Sequence, residues 1–272
     1  MRVLVTGASG MLGGHIIREL ETAHDLVLTS RRPVAGRHPH VAGDLTDPDL
    51  VRRAVAGVEA VAHLGANPWF SPDTFRTNTV STYLLLEACR EAGINRFVMA
   101  GSDWGVGKSD ERDCPPEYVP VDEAHPVRPR DHYGLSKAVG ELVCETFARE
   151  HGIRCAVMRI TGVWTPERTA AYGRESHEGA EEDARKYWWS YVDARDVARA
   201  FRLALEAPNL PGFGTYLLSA ADTVLDNPTG GAVRRAWPGV RIAGALPGHA
   251  SVLSVEAARA AFGWVPVHSW RA

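Results

Sequence analysis

Hydrophobic positions along the chain follow two alternating rhythms. The runs "RVLVTG", "LVLTS", "VEAVAHLG", "RFVMAG" and "RCAVMRI" are apolar at nearly every position, as strands buried on both faces must be. Between them lie stretches with apolar residues at helical spacing. Met11 to Thr22 is one. A second follows Thr46 and Asp47, which can cap "PDLVRRAVAG". A third opens at Ser71-Pro72 and runs to about Ala92, with Gly93 as its stop. A fourth runs from Tyr133 to about His151, ended by Gly152. Strand–helix alternation of this kind predicts an α/β fold, a doubly wound parallel sheet with right-handed crossovers.

The rhythm breaks after Ile160. Residues 161–186 are polar and charged, and segments 105–130 and 165–186 read as long loops. Loops of that length are usually functional or mobile, and the acidic run "EGAEEDARK" reads as a solvated flap. Further on, "KYWWSYV" predicts a strand and "DARDVARAFRLALEA" a helix. "GTYLLS", a helix near "GGAVRRAW", a short strand "VRIAG" and a last helix "VEAARAAFG" complete the chain. The division this suggests is a nucleotide-binding domain over 1–160 and a smaller, mainly substrate-binding lobe over 161–272. Elements near 187–207 would return to the main sheet. The aromatic cluster Tyr187, Trp188, Trp189 and Tyr191 reads as core.

Composition narrows the class. A chain of 272 residues, 45% hydrophobic, can bury a substantial core. A net charge of −3 offers no basic field for nucleic acid or an anionic membrane. No apolar run reaches the ~20 residues a membrane-spanning helix needs, and the amino-terminal stretch does not read as a signal peptide. Cys89, Cys114, Cys144 and Cys155 have no paired spacing and read as reduced thiols rather than metal ligands. A cytoplasmic protein without metal is the expectation.

Chemistry enters with "VTGASGMLGG". Gly7, Gly10 and Gly13 stand at GxxGxxG spacing between the first strand and the first helix. There they allow a tight turn and close approach to a pyrophosphate, and the helix start (Ser9, Gly10, Met11, Leu12, Gly13) offers free N–H groups to the phosphate. The second strand ends in Ser30, Arg31 and Arg32, where a carboxylate would select NAD. Guanidinium groups suit a 2′-phosphate instead, so NADP is predicted as the preferred cofactor over NAD.

Taken with "GDL" at Gly43–Leu45, "HLGAN" at His63–Asn67, "AGS" ending at Ser102, "YGLSK" at Tyr133–Lys137, "WWSYVDARDVARA" and the closing "SVEAARAAFGWVPVHSW", the whole chain resembles the extended short-chain dehydrogenase/reductases. This is the NAD(P)-dependent epimerase/dehydratase superfamily, with a Rossmann domain. The nearest likeness is to its uronate and sugar-phosphate dehydrogenase branch. The resemblance implies that Asp44 and Leu45 hold the adenine, and that Leu64, Gly65 and Ala66 line the cofactor channel, with Ile160 also against the cofactor. Asn78 would anchor the adjoining loop, and Ser102, Tyr133 and Lys137 would be catalytic. It also implies a homodimer through the two long helices, for which Leu84, Leu85, Leu142 and Phe147 could supply contacts. The branch's Ser-Asn-His is Ser102-Asp103-Trp104 here.

A Tyr-x-x-x-Lys alone is often an ordinary surface pair. Beside a cofactor it is chemistry, since residues four apart share a helix face. A nearby ammonium and a positive cofactor ring favour phenolate, lowering an ordinary tyrosine value of about 10. Around this trio, Asn67, Ser102, Asp103, Trp104 and Thr161 are the candidate substrate contacts for a sugar-like small molecule. Asp103 would repel a substrate carboxylate or phosphate. The leading expectation is an oxidoreductase that moves hydride between NAD(P) and a hydroxyl or carbonyl carbon. A nucleotide-sugar epimerase with retained cofactor is the alternative, and a cofactor-binding sensor without catalysis is a weaker one.

Overall fold

The computed structural model describes residues 1–67, 72–109, 113–175 and 179–272. In chain order the elements are β1 (Arg2–Thr6), α1 (Met11–Leu20), β2 (Asp25–Ser30), β3 (His40–Ala42), α2 (Pro48–Val55), β4 (Ala60–His63), α3 (Pro72–Ala92) and β5 (Arg96–Ser102). A 3₁₀ turn, Asp103–Val106, follows β5. Then come β6 (Tyr118–Val119), α4 (His132–His151), β7 (Arg154–Ile160), β8 (Val163–Trp164), α5 (Pro166–Tyr172), α6 (Ala180–Asp183) and β9 (Val192–Asp193). The chain closes with α7 (Ala194–Glu206), β10 (Phe213–Leu218), α8 (Thr229–Ala236), β11 (Arg241–Ile242) and α9 (Glu256–Phe262).

Among the described residues, seven strands form one parallel sheet in the order β10-β7-β5-β4-β1-β2-β3. The continuous apolar strands are explained by two cores. Val3 and Val5 point into one, with Ile16, Leu20, Phe201 and Leu205 of α1 and α7. Leu4 points into the other, with Leu50, Leu85 and Phe147 of α2, α3 and α4. The α/β class is therefore as the strand pattern predicts. The predicted caps also hold: Asp47 accepts from the Asp49 N–H, and Gly152 ends α4 in the left-handed conformation. Ser71, read as the opening of α3, lies outside the described residues.

Several expectations need correction. The segment 165–186 is not all loop: its described residues carry α5 and, within the acidic run read as a flap, α6. Thr169 donates to Asp193 at 2.8 Å, and Tyr172 donates to the Val224 carbonyl at 3.0 Å. Glu181 accepts a fork of hydrogen bonds from Arg235. These contacts tie the described part of the segment to residues later in the chain, and the Arg235 fork holds the acidic run itself. Segment 105–130 likewise contains the end of the 3₁₀ turn and β6, which pairs with β11.

"KYWWSYV" is not one strand. Trp188 and Trp189 both have positive φ, 55° and 53°, and extended pairing begins only at Val192. Their buried indoles diverge, Trp188 donating to the Cys114 carbonyl and Trp189 to that of Glu181. Backbone in that conformation cannot join a ladder. The cluster is core, as predicted for Trp188, Trp189 and Tyr191. The strand that returns to the main sheet is β10, beyond residue 207, while α7 packs on the face of that sheet. Leu85 and Phe147 are buried within the chain's own core, so neither is available to a dimer contact. Leu142 is 59% exposed.

Candidate active site

The carboxy-terminal ends of the strands open on a cavity of about 440 Å³. Gly7, Ser9, Gly10, Ser30, Arg31, Arg32, Asp44, Leu45, Leu64, Gly65, Ala66 and Asn67 line it, joined by Gly43, Thr77 and Ser81. The first twelve were all singled out from the sequence. The glycine turn is tight by necessity. A Cβ on Gly7, whose φ is +66°, would lie 2.8 Å from the Gly65 nitrogen, and one on Gly13 would lie 2.5 Å from the Ala8 carbonyl oxygen. Gly10 caps α1 with no side-chain hydrogen bond, and no acidic residue stands in the first turn. The helix start with Met11, Leu12 and Gly13 therefore keeps its N–H groups and positive dipole end for an anion. This donor set fits a dinucleotide pyrophosphate.

One end of the cavity is shaped by β2. Arg31 and Arg32 are exposed at the cavity edge. The Ser30 hydroxyl donates to the Arg32 carbonyl at 2.6 Å and is 2.9 Å from His40 Nε2. Its proton is thus committed to the turn. Asp44 is held below the usual carboxylate range, first by the Thr46 backbone N–H and also by the Thr46 hydroxyl and Arg31.

The channel floor hangs on a buried pair that was not assigned a role from sequence. Thr6 Oγ1 accepts from the Leu64 and Gly65 N–H groups at 3.1 and 3.0 Å and lies 2.8 Å from His63 Nδ1. His63 also reaches Thr82 Oγ1 at 3.2 Å. Burial drives His63 down to about 3, with Lys137 adding to the effect, so its ring is neutral. Asn78 donates to the Asn67 carbonyl and to Ser136 Oγ, so the anchoring contact implied by the resemblance is present.

Ser102, Tyr133 and Lys137 converge. Ser102 ends β5 and its hydroxyl hydrogen-bonds Tyr133; it also accepts the Trp104 N–H at 3.2 Å. Lys137 donates to the Ala100 carbonyl at 2.7 Å, with its ammonium 5.6 Å from the Tyr133 ring centroid. Two features hold α4 in place. Asp131 caps it by accepting the Gly134 N–H, and Glu141 takes a buried fork from Arg159 of β7 at 2.9 and 2.8 Å. Gly134 permits the close approach, since a Cβ there would lie 2.7 Å from the Trp104 carbonyl.

Burial pushes the Tyr133 phenol up to about 12; the Ser102 bond pulls it down, and Asp103 and Asp131 raise it. The net shift is upward, set by burial, where the sequence reading expected a lowering. Lys137 itself is pressed down to about 8 by burial, against the pull of Glu141. The protein's own groups thus keep Tyr133 a proton donor.

The substrate side departs from expectation. Trp104 does face Tyr133, edge-on with centroids 6.3 Å apart. Asp103 does not face the cleft: it is fully buried and paired with Lys108 at 2.5 Å. Thr161, 4% exposed, accepts from the same ammonium at 3.1 Å. With its charge neutralised and enclosed, Asp103 gives no reason to exclude an acidic substrate. Ile160 ends β7 beside this network. Lys108 carried no sequence signal, because a lone loop lysine is ordinary until the fold sets it against its partners, and Gly134 entered only as part of "YGLSK", with no hint of the Trp104 carbonyl it approaches.

A profile of the NAD dependent epimerase/dehydratase family matches residues 3–218. An L-arabinose 1-dehydrogenase (NAD(P)(+)) of Haloferax volcanii is 30% identical over 234 residues, 81% of this chain and 89% of that protein. A UDP-glucose 4-epimerase of Azospirillum brasilense is 31% identical over 177 residues, 60% of this chain and 49% of that protein. The chain thus spans about half the length of that epimerase and most of the dehydrogenase. Among solved structures, a short-chain dehydrogenase/reductase superfamily protein from Agrobacterium tumefaciens with bound NAD superposes with a TM-score of 0.77. It is 24% identical, and the match covers 100% of this chain and 94% of that one.

Proposed function

The chain belongs to the NAD dependent epimerase/dehydratase family, and from that premise we propose that it is an NADP-preferring dehydrogenase acting on a hydroxyl or carbonyl carbon of a free sugar or sugar acid. Tyr133 is its acid/base. The observation that carries this reading is the convergence of Ser102, Tyr133 and Lys137 at the end of β5, next to the glycine-lined cavity.

A bound nicotinamide cofactor supplies or takes up the hydride. The chain's own residues handle the proton. In reduction, the Tyr133 hydroxyl gives its proton to the oxygen of the substrate carbonyl as charge builds there. In oxidation the Tyr133 oxygen takes the proton back from the substrate hydroxyl. Ser102 fixes the direction of the phenol through its hydrogen bond. Lys137, tethered to the Ala100 carbonyl, keeps a cation beside the ring, which favours the phenolate produced in reduction. Arg31 and Arg32 support the preference for a 2′-phosphate.

The test is a spectrophotometric assay of reduced-cofactor change across neutral aldoses, sugar acids and sugar phosphates. Activity on at least one class is expected. Tyr133→Phe should keep cofactor binding and lose turnover by about 10²-fold or more. Near-normal turnover in that variant would overturn the assignment. The likeness to the epimerase supports a second reading, an epimerase with retained cofactor. Tightly held cofactor in the purified protein, with isomerisation of a nucleotide sugar and no net redox change, would establish it instead.

A further inference from the structure

Lys108 is 1% exposed, and its ammonium has an oxygen for each of its three protons. It donates to Asp103 Oδ2 at 2.5 Å, to Ser190 Oγ at 2.7 Å and to Thr161 Oγ1 at 3.1 Å. It also stands 5.2 Å from the Trp188 ring centroid. The three acceptors come from three places: the turn after β5, the residue after β7, and the approach to β9. One cation therefore fastens together the chain segments on the substrate side of Tyr133. Burying an ammonium and a carboxylate is costly, and an apolar side chain of similar size would fill the space without that cost.

Asp103 explains what the arrangement does. It lies between Ser102, which hydrogen-bonds Tyr133, and Trp104, which packs edge-on against the Tyr133 ring. Its other oxygen, Oδ1, is buried without a hydrogen-bond partner among the described residues. Lys108 is thus what compensates this carboxylate. The charged groups acting on Tyr133 are Asp103, Asp131 on the approach to α4, and Lys137 on α4 itself.

We propose that Lys108 is a positioning residue for proton transfer at Tyr133, acting through Asp103: it fixes the turn that carries Ser102 and Trp104 and cancels the negative charge that Asp103 sets beside the phenol. This rests on Tyr133 being the acid/base. Without Lys108 the carboxylate either stays ionised and opposes formation of the phenolate, or takes up a proton and releases the turn.

The test uses Lys108→Met, Asp103→Asn and the double variant in the full chain. Asp103→Asn is nearly isosteric and leaves the ammonium its bonds to Thr161 and Ser190. The first readout is the Tyr133 Cζ chemical shift in protein carrying 13C-labelled tyrosine, taken at neutral pH, each protein measured against its own Tyr133→Phe counterpart. It needs no substrate, so it stands or falls independently of the dehydrogenase assignment. The resonance should move one way in Asp103→Asn, the opposite way in Lys108→Met, and return near the parent in the double variant. The second readout is the pH profile of kcat for alcohol oxidation, which should move to lower pH in Asp103→Asn and to higher pH in Lys108→Met, with kcat about tenfold lower in Lys108→Met.

An unmoved Tyr133 resonance in both single variants, even with reduced thermal stability, would reduce Lys108 to a structural pin and overturn the proposal. If Lys108→Met does not fold, Asp103→Asn decides alone. Shifted resonances in a protein that oxidises no sugar would uphold the Lys108 role and remove the dehydrogenase reading.

Discussion

Asn78 grips the backbone of Asn67 on both sides, accepting its N–H at 2.7 Å and donating to its carbonyl at 3.2 Å. A side-chain amide here does what a neighbouring strand would do, and it holds the end of the cofactor channel rigid. Its third bond, to Ser136 Oγ, ties that loop to α4, where Ser136 in turn donates to the Tyr133 carbonyl. Asn78→Ala removes these three hydrogen bonds. It should cost about 1–3 kcal/mol of stability and weaken cofactor binding by about tenfold. Denaturant melts and fluorescence titration with reduced cofactor would measure both. An unchanged dissociation constant would show that the loop keeps its shape without the clamp.

Arg31 and Arg32 stand exposed at the mouth of the cavity, and the Ser30 hydroxyl is committed to the Arg32 carbonyl and His40. Under the proposed NADP preference, recognition of a 2′-phosphate falls to the guanidinium groups. Arg31→Asp should shift the ratio of kcat/KM for NADP over NAD toward NAD by about tenfold or more. Steady-state kinetics with both cofactors checks this, and an unaltered ratio would sink the NADP assignment.

His63 is held neutral in a buried net with Thr6 and Thr82. Its ordinary value is 6.5 and burial takes it to about 3. Below 6.5 the unfolded chain binds a proton there that the folded chain does not. This group's contribution is therefore complete above about pH 6.5 and is lost as pH falls toward 3, at up to ~1.4 kcal/mol per pH unit. His63→Gln should flatten the fall in stability between about pH 7 and pH 5. Urea melts of the two proteins across that window provide the comparison, and parallel curves would contradict it.

Two glycines in the first turns of α1 should behave oppositely. A Cβ on Gly13 would press on the Ala8 and Gly7 carbonyl oxygens at 2.5 and 2.7 Å, whereas one on Gly14 meets nothing within 4 Å. Gly13→Ala should cost about 1–3 kcal/mol and abolish cofactor binding by forcing the turn open. Gly14→Ala should stabilise the protein by about 1 kcal/mol, since alanine restricts the unfolded chain and favours the helix. Thermal melts and cofactor titrations on both variants would expose a reversed order at once.

The glycine-lined cavity was legible in the sequence because it is local. A glycine turn, a strand end and a helix start are each read within a few consecutive residues, and their chemistry comes largely from backbone groups. The Tyr133–Lys137 pair was legible for the same reason: four residues along a helix set one face. The substrate half was not. Asp103 follows Ser102 in sequence and reads as a cleft residue, yet it is drawn inward by Lys108, and Lys108 meets Thr161 and Ser190 from 53 and 82 residues away. No pattern of neighbours announces a contact of that separation.

The segment 165–186 makes the same point. Its charge and its glycines read as a flap, and by composition alone that is sound. What holds it down is Thr169 on Asp193, Tyr172 on Val224, and Glu181 on Arg235, partners that later parts of the chain bring up. By itself, then, the sequence determined the parallel α/β order and the glycine turn, because periodicity and short spacing encode them, while the role expected of the Tyr133 helix came from the resemblance to a family. Tertiary structure alone decided which charges near Tyr133 are paired, which loops are docked, and how far burial raises the phenol. Those quantities depend on what each group is packed against, and a buried group's electrostatics are set by its neighbours in space.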